Sequence, residues 1–275
     1  MRTRAVSQHR AVLSFGRGYH IDFMLFTRLL RAVQEGLSRS CLAGQLGISK
    51  SRLTACIALA RGFDLLTRNR SLRLTPLGNV ILGYDAFFQD PGTLWFLHYV
   101  VASEERQLVW NHFATTFLPG RQRFTLKDFR AWLMSLQKSN SKAAKRSLYQ
   151  ETYLVLDTYV KRSFVQLEYL SHEKRKPYQR GNSHSLPPLV LGACLARYRD
   201  RHQSDATALL VADVLTAPNS PGVILHLHED DLRTLLEQIK TVQGIELESR
   251  ADLDQVRLNE TMTDVKWMEL YYDCR

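Results

Sequence analysis

The sequence predicts a mainly α-helical fold with an N-terminal winged helix-turn-helix, a helical middle domain and a small α/β C-terminal part. Three observations carry that prediction. Helix signals separated by glycines open the chain, two short extended runs about a polar turn follow, and apolar residues then recur at three-to-four spacing through most of the remainder.

In "HIDFMLFTRLLRAVQEG" (20–36), Phe23, Phe26, Leu29, Leu30 and Val33 share one helical face, and Gly36 supplies the stop. Ser38 and Ser40 can open a second helix, "CLAGQLG", closed by Gly47, and Ser49 is placed to cap a third that runs to Gly62. Leu42, Leu46, Ile48, Leu53, Ile57 and Leu59 supply a small three-helix core. Leu65 to Thr67 and Leu72 to Leu74 then flank "RNRS" as a hairpin, the wing, before Thr75 and Pro76 return the chain to helix.

Asp90-Pro91-Gly92 leads into an aromatic helix bearing Leu94, Trp95, Leu97, His98 and Val101. The segments "QLVWNHFATTFL", "TLKDFRAWLMSLQK" and "LYQETYLVLDTYVKRSFV" keep helical spacing, with Thr125 to Asp128 shaped as a capping box. Two basic stretches, "KSNSKAAKR" (138–146) and "SHEKRKPYQRGNSH" (171–184), read as solvent-facing loops or helix ends. In the last third, "LPPLVLGACLARYRDRH" is a helix and "DATALLVADVLTAPNSPG" a helical stretch ending at Pro218. "VILHLH" (223–228) alternates like a strand, "EDDLRTLLEQIK" is an amphipathic helix, and "IELES" is a second strand. The expected division is a winged-helix domain at 1–83, a helical domain at 84–180 and an acidic α/β region at 181–275.

The 275 residues suffice for a full core, and the net charge of +10 is unevenly placed. Counted along the sequence, residues 1–90 hold 13 Lys and Arg against 5 Asp and Glu, residues 91–180 hold 15 against 7, and residues 181–275 hold 9 against 15. A basic surface over two thirds of a chain suits a polyanion. No apolar run is long enough for a membrane span or a secretory leader, so a cytoplasmic protein without membrane contact is expected. The scattered Cys41, Cys56, Cys194 and Cys274 signal neither a zinc site nor a disulfide framework; they read as reduced thiols, the first three packed.

Lys50, Ser51, Arg52 and Thr54 fall in the first turns of the third helix, where a recognition helix meets base edges or phosphates, and the wing adds Arg68, Arg70 and Arg73. Many winged-helix domains bind proteins through such residues instead. Lys174, Arg175, Lys176 and Arg180, with Tyr178 among them, suit phosphates and a stacked base, or form a solvated loop. Lys138, Lys142, Lys145 and Arg146 carry the same two readings. His226, His228, Asp230 and Asp231 belong to the main His and carboxylate cluster, to which Mg²⁺ would bind in a strand-nicking enzyme. Adjacent acids after a strand cannot all face one ion, and acids at a helix start are ordinary architecture. His98, Asn111 and His112 read as packing residues. No Walker loop, G-x-S-x-G, H-E-x-x-H or dinucleotide fingerprint occurs, so no cofactor is evident.

The stretches "LSFGRGYHIDF" (13–23), "LTPLG" (74–78), "YDAFFQDPGTLWFLHYVVAS" (84–103) and "NSPGVILHL" (219–227) resemble a bacterial family of unknown function that includes the DNA phosphorothioation protein SspB of anti-phage defence systems. The resemblance runs to about residue 258, and its most distinctive piece spans Asp90 to Tyr99. It implies DNA binding, with nicking as a family-level expectation, beside other subunits of a modification or defence system; it maps no catalytic residue here. Three alternatives stay open beside a DNA-gripping subunit: a Mg²⁺-dependent nickase, a non-catalytic adaptor docking through the acidic third, and a transcription regulator.

Overall fold

The computed structural model describes residues 16–69, 71–136, 141–181, 185–240, 245–250 and 253–275. They form a mainly helical structure with two small antiparallel sheets. Arg70 and Lys138 lie outside the described residues.

Local chemistry sets the first helices. Asp22 Oδ1 accepts the Leu25 amide at 3.0 Å and starts α1 (Phe23–Gln34), and Gly47, at φ +65°, closes α2 (Arg39–Leu46). Ser49 Oγ accepts the Arg52 amide at 3.2 Å and starts α3 (Lys50–Gly62). Leu66 and Leu74 then make a single antiparallel bridge, and Thr67 N–H donates to the Arg73 carbonyl at 2.8 Å. Thr75 Oγ1 accepts the Gly78 amide at 2.9 Å to begin α4 (Pro76–Tyr84).

Helix α5 (Pro91–Ala102) is buried along nearly its whole length. Against it packs α6 (Leu108–His112), which runs into a π-helical turn at Phe113–Phe117; α7 (Leu126–Leu136) and α8 (Lys142–Lys161) follow, packed on each other. Thr125 and Asp128 cap α7 reciprocally, as their spacing predicts. The strands β1 (Arg123–Phe124), β2 (Leu170–Ser171) and β3 (Tyr178–Arg180) pair in the order β1-β3-β2. The chain continues through α9 (Pro188–His202), β4 (Ala208–Leu210), α10 (Val211–Thr216), α11 (Pro221–Leu225) and α12 (Glu229–Ile239). Strands β5 (Ile245–Arg250) and β6 (Leu253–Leu258) complete a sheet of order β4-β6-β5, and α13 (Asp264–Asp273) follows.

The two basic stretches take one each of the forms expected of them, and two other expectations are corrected. Residues 142–146 take the helix-end form: they are the first turns of α8, because Ser141 caps it and accepts the Ala144 amide at 3.2 Å. The basic segment after Leu170 is the turn of a β-hairpin, with Leu170 opposite Arg180. "VILHLH" is not a strand: Ser220 caps and Pro221 opens the short α11, which stops where His226 turns left-handed at φ +55°. Cys41, expected to pack, is exposed, whereas Cys56 and Cys194 are buried.

One buried apolar cluster takes residues from all three expected segments. Helix α13 packs against both α9 and α4; Tyr84 stacks on Tyr272 at 4.9 Å, and its hydroxyl donates to Asp273 at 2.7 Å. The α9–α13 approach depends on Gly192, where a Cβ would lie 2.7 Å from the buried Trp267 ring. Replacing Gly192→Ala is expected to lower the urea-unfolding free energy by about 1–3 kcal/mol through overpacking.

Candidate nucleic-acid interface

The expected DNA-contacting residues divide into free and tethered cations. Lys50 and Ser51 are exposed on the first turn of α3, and Arg73 is exposed in the bridged loop that follows it. Arg52 is exposed too, but its Nη2 bonds Asp22 at 2.9 Å, while Thr54 turns its hydroxyl back to the Lys50 carbonyl at 2.8 Å. Thr54 is thereby a helix residue rather than an outward donor.

The loop is held by an arginine the sequence reading did not single out. Arg61 of α3 donates from Nε to the Thr67 carbonyl at 2.9 Å and from Nη2 to the Asn69 carbonyl at 2.7 Å, fixing the turn to its helix. Arg68 reaches Glu104, as do Arg106 and Arg201 at 3.9 Å. Burial pushes the Glu104 pKa upward, yet the three arginines outweigh it and hold the carboxyl below its usual range. Three cations around one anion leave this corner positive. Arg106 comes from the turn between α5 and α6 and Arg201 from α9, far apart along the chain, so only the fold shows that they join the cluster.

The second basic block sits at the β2–β3 hairpin. Lys174 and Arg175 are exposed in its turn, Lys176 pairs with Glu173, and Arg180 is half-buried in β3. Arg123, Ser171, Lys176 and Gln179 line a cavity of about 430 Å³ beside it. Lys142 and Arg146 are exposed, and Lys145 half-buried, on the opening turns of α8.

The acidic candidates do not converge. His226 stacks on Tyr169 with ring centroids 4.9 Å apart and planes 11° from parallel, and its Nε2 is buried without a hydrogen-bond partner. His228 is exposed at the cap of α12, where Asp231 accepts its backbone amide at 3.3 Å, and Asp230 is exposed on the first turn. These acids cap a helix. Among the described residues no three His, Cys, Asp or Glu side chains come together in a group able to hold a metal ion. The four candidates therefore do not supply the converging oxygens of a Mg²⁺ centre.

The two distinctive motifs meet in the core instead. Asp90 accepts the Thr93 amide at 2.9 Å and the Tyr271 hydroxyl at 2.9 Å, and Trp95 Nε1 donates to Ser185 at 3.1 Å. His98 Nε2 lies 3.4 Å from the Ile224 carbonyl, which can only accept, so Nδ1 receives the Tyr159 hydroxyl at 2.7 Å. Tyr99 donates to the Asn219 carbonyl at 3.1 Å, and Asn111 to the Asn219 side chain at 2.6 Å. Burial without a counter-charge pushes His98 and His226 each down to about 3. Both rings are neutral structural elements, as expected of His98.

No helix among the described residues is long and apolar enough to cross a membrane. None of the curated proteins matches the chain. Two solved structures share its fold. The magnesium ion-bound SspB crystal structure superposes with a TM-score of 0.79 at 18% identity, covering 96% of this chain and 89% of that one. The SspB crystal structure gives a TM-score of 0.78 at the same identity and coverage. Residues 40–272 match the family described as "Protein of unknown function (DUF4007)", and with most of its length inside that match the chain belongs to this family.

Proposed function

We propose that the protein is a duplex-DNA-binding component of a bacterial DNA phosphorothioation or related defence system, gripping DNA through α1 to α3 and the bridged loop as a winged helix-turn-helix. The observation that carries the reading is the outward presentation of Lys50, Ser51 and Arg73 on two adjacent elements. Arg61 locks those elements together, so their cations are positioned before any ligand arrives. The fold shared with SspB and the motifs from Asp90 to Tyr99 and Ser220 to Gly222 support the defence setting. Among the described residues His226, His228, Asp230 and Asp231 do not converge, so the reading rests on the exposed cations rather than on those four.

The test is a fluorescence-anisotropy titration of a labelled duplex between about 50 and about 200 mM salt. Affinity is expected to fall steeply with salt, because each phosphate contact releases counterions. The Lys50→Ala, Arg73→Ala pair should weaken binding and flatten the slope of log K against log salt by about two. An unchanged slope and affinity would remove the winged-helix surface from the reading.

A further inference from the structure

Helix α8 presents an exposed stripe to solvent. Lys142, Arg146, Tyr149, Gln150 and Tyr153 recur on one face at helical spacing, while the helix's two acids, Glu151 and Asp157, are buried. Tyr149 and Tyr153 are 44% and 43% exposed. Cations and further rings flank them. Arg130 lies over the Tyr149 ring at 4.9 Å, and His20 meets Tyr153 edge-on at 6.2 Å.

The stripe ends at a cleft of about 580 Å³ whose lining includes Tyr19, His20, Arg52, Lys161 and Arg162. Asp157 organises its cations from beneath: its carboxylate accepts Arg162 Nε at 2.6 Å and lies 3.6 Å from Lys161 Nζ. Arg162 uses only Nε in that bond, and Arg52 only Nη2 in its bond to Asp22, so each guanidinium keeps donors for an anion. The cleft adjoins α3, since Tyr19 Oη lies 3.2 Å from Ser51 Oγ.

We infer that this face is a track for single-stranded DNA, with backbone phosphates held by Arg52, Lys161 and Arg162 in the cleft and unpaired bases stacked on Tyr149 and Tyr153. Exposed aromatic faces interleaved with fixed cations suit a single strand, because bases inside a duplex are stacked on one another and cannot meet a tyrosine. The strand is DNA because the track begins beside the α3 surface that is proposed to hold a DNA duplex. From Tyr149 to Lys161 the helix rises about 18 Å, long enough for several contacts along one strand.

Anisotropy with a labelled oligothymidylate of about 12 nucleotides, read beside a duplex probe, tests this. The Tyr149→Ala, Tyr153→Ala pair is expected to weaken single-strand binding about tenfold or more and to leave duplex binding within about twofold. The Tyr149→Phe, Tyr153→Phe pair keeps the rings and should bind as the unaltered protein does. Both tyrosines are substantially exposed, so an unchanged thermal melt serves as the folding control. The Lys50→Ala, Arg73→Ala pair should show the opposite selectivity, which separates failure of this track from failure of the duplex surface. Single-strand binding untouched by the alanine pair, no binding by the unaltered protein at about 50 mM salt, or tighter binding of the matching RNA would each overturn the inference.

Discussion

Acidification from about pH 7 to about pH 4 is expected to strip stability from the protein at up to about 1.4 kcal/mol per pH unit for each buried histidine. His98 is fully buried and neutral, with its pKa pushed from 6.5 down to about 3, and His226 is lowered to about 3 as well. A group with a depressed histidine pKa binds more protons unfolded than folded between those values. Unfolding free energy therefore rises with pH across that window: the contribution is complete above about 6.5 and is lost as the pH falls toward 3. His20, His112 and His202 are lowered chiefly by burial and act in the same direction. Urea unfolding at stepped pH measures the slope. The His98→Gln variant should be less stable at neutral pH yet lose less per pH unit; parallel slopes for the two proteins would show that His98 does not titrate on unfolding.

The second large effect centres on Arg197, a buried cation of α9 that no sequence pattern announces. Its Nη2 bonds Asp64 at 2.8 Å and its Nη1 bonds Asp264 at 2.6 Å, joining the end of the three-helix unit to the start of α13. Removing the arginine leaves the Asp264 carboxylate, 16% exposed, without its counter-charge, whereas Asp64 at 38% can rehydrate. Arg197→Ala should cost about 3 kcal/mol or more of unfolding free energy. The Arg197→Met, Asp264→Asn pair should recover a large part of it, because the stranded charge disappears with its partner. A double variant no better than Arg197→Ala would assign the loss to packing alone.

Where the sequence spoke clearly, a local interaction was responsible. Ser49, Thr75 and the Thr125–Asp128 pair start helices within three residues of themselves, so such caps were enough to place α3, α4 and α7, while apolar spacing and the Gly36 stop found α1. The failures also have local causes. Alternation in "VILHLH" imitates a strand, while the Ser220-Pro221 start signal upstream belongs to a helix of only five residues, too short for periodicity to register. Charge left the first turns of α8 open between loop and helix end, and Ser141 with two alanines decides for the helix there. The site was less legible than the fold. Lys50 and Arg73 stand where their spacing placed them, but the pairing of Arg52 with Asp22 and of Arg68 with Glu104 joins residues 30 and 36 positions apart. Such pairs depend on tertiary geometry, and so does the meeting of His20, Tyr153 and Arg162 around Asp157.

The seating of α13 on α4 sets the order of events at the ribosome. Tyr84 and Asp273, which close that contact, lie 189 residues apart along the chain. During synthesis the N-terminal helices emerge long before the surface that covers α4 exists, and they must wait with apolar residues uncovered. Contacts this remote slow folding and favour chaperone engagement of the nascent chain. A ribosome that stalls before α13 leaves the α4 face uncovered on an unfinished scaffold, a target for proteases.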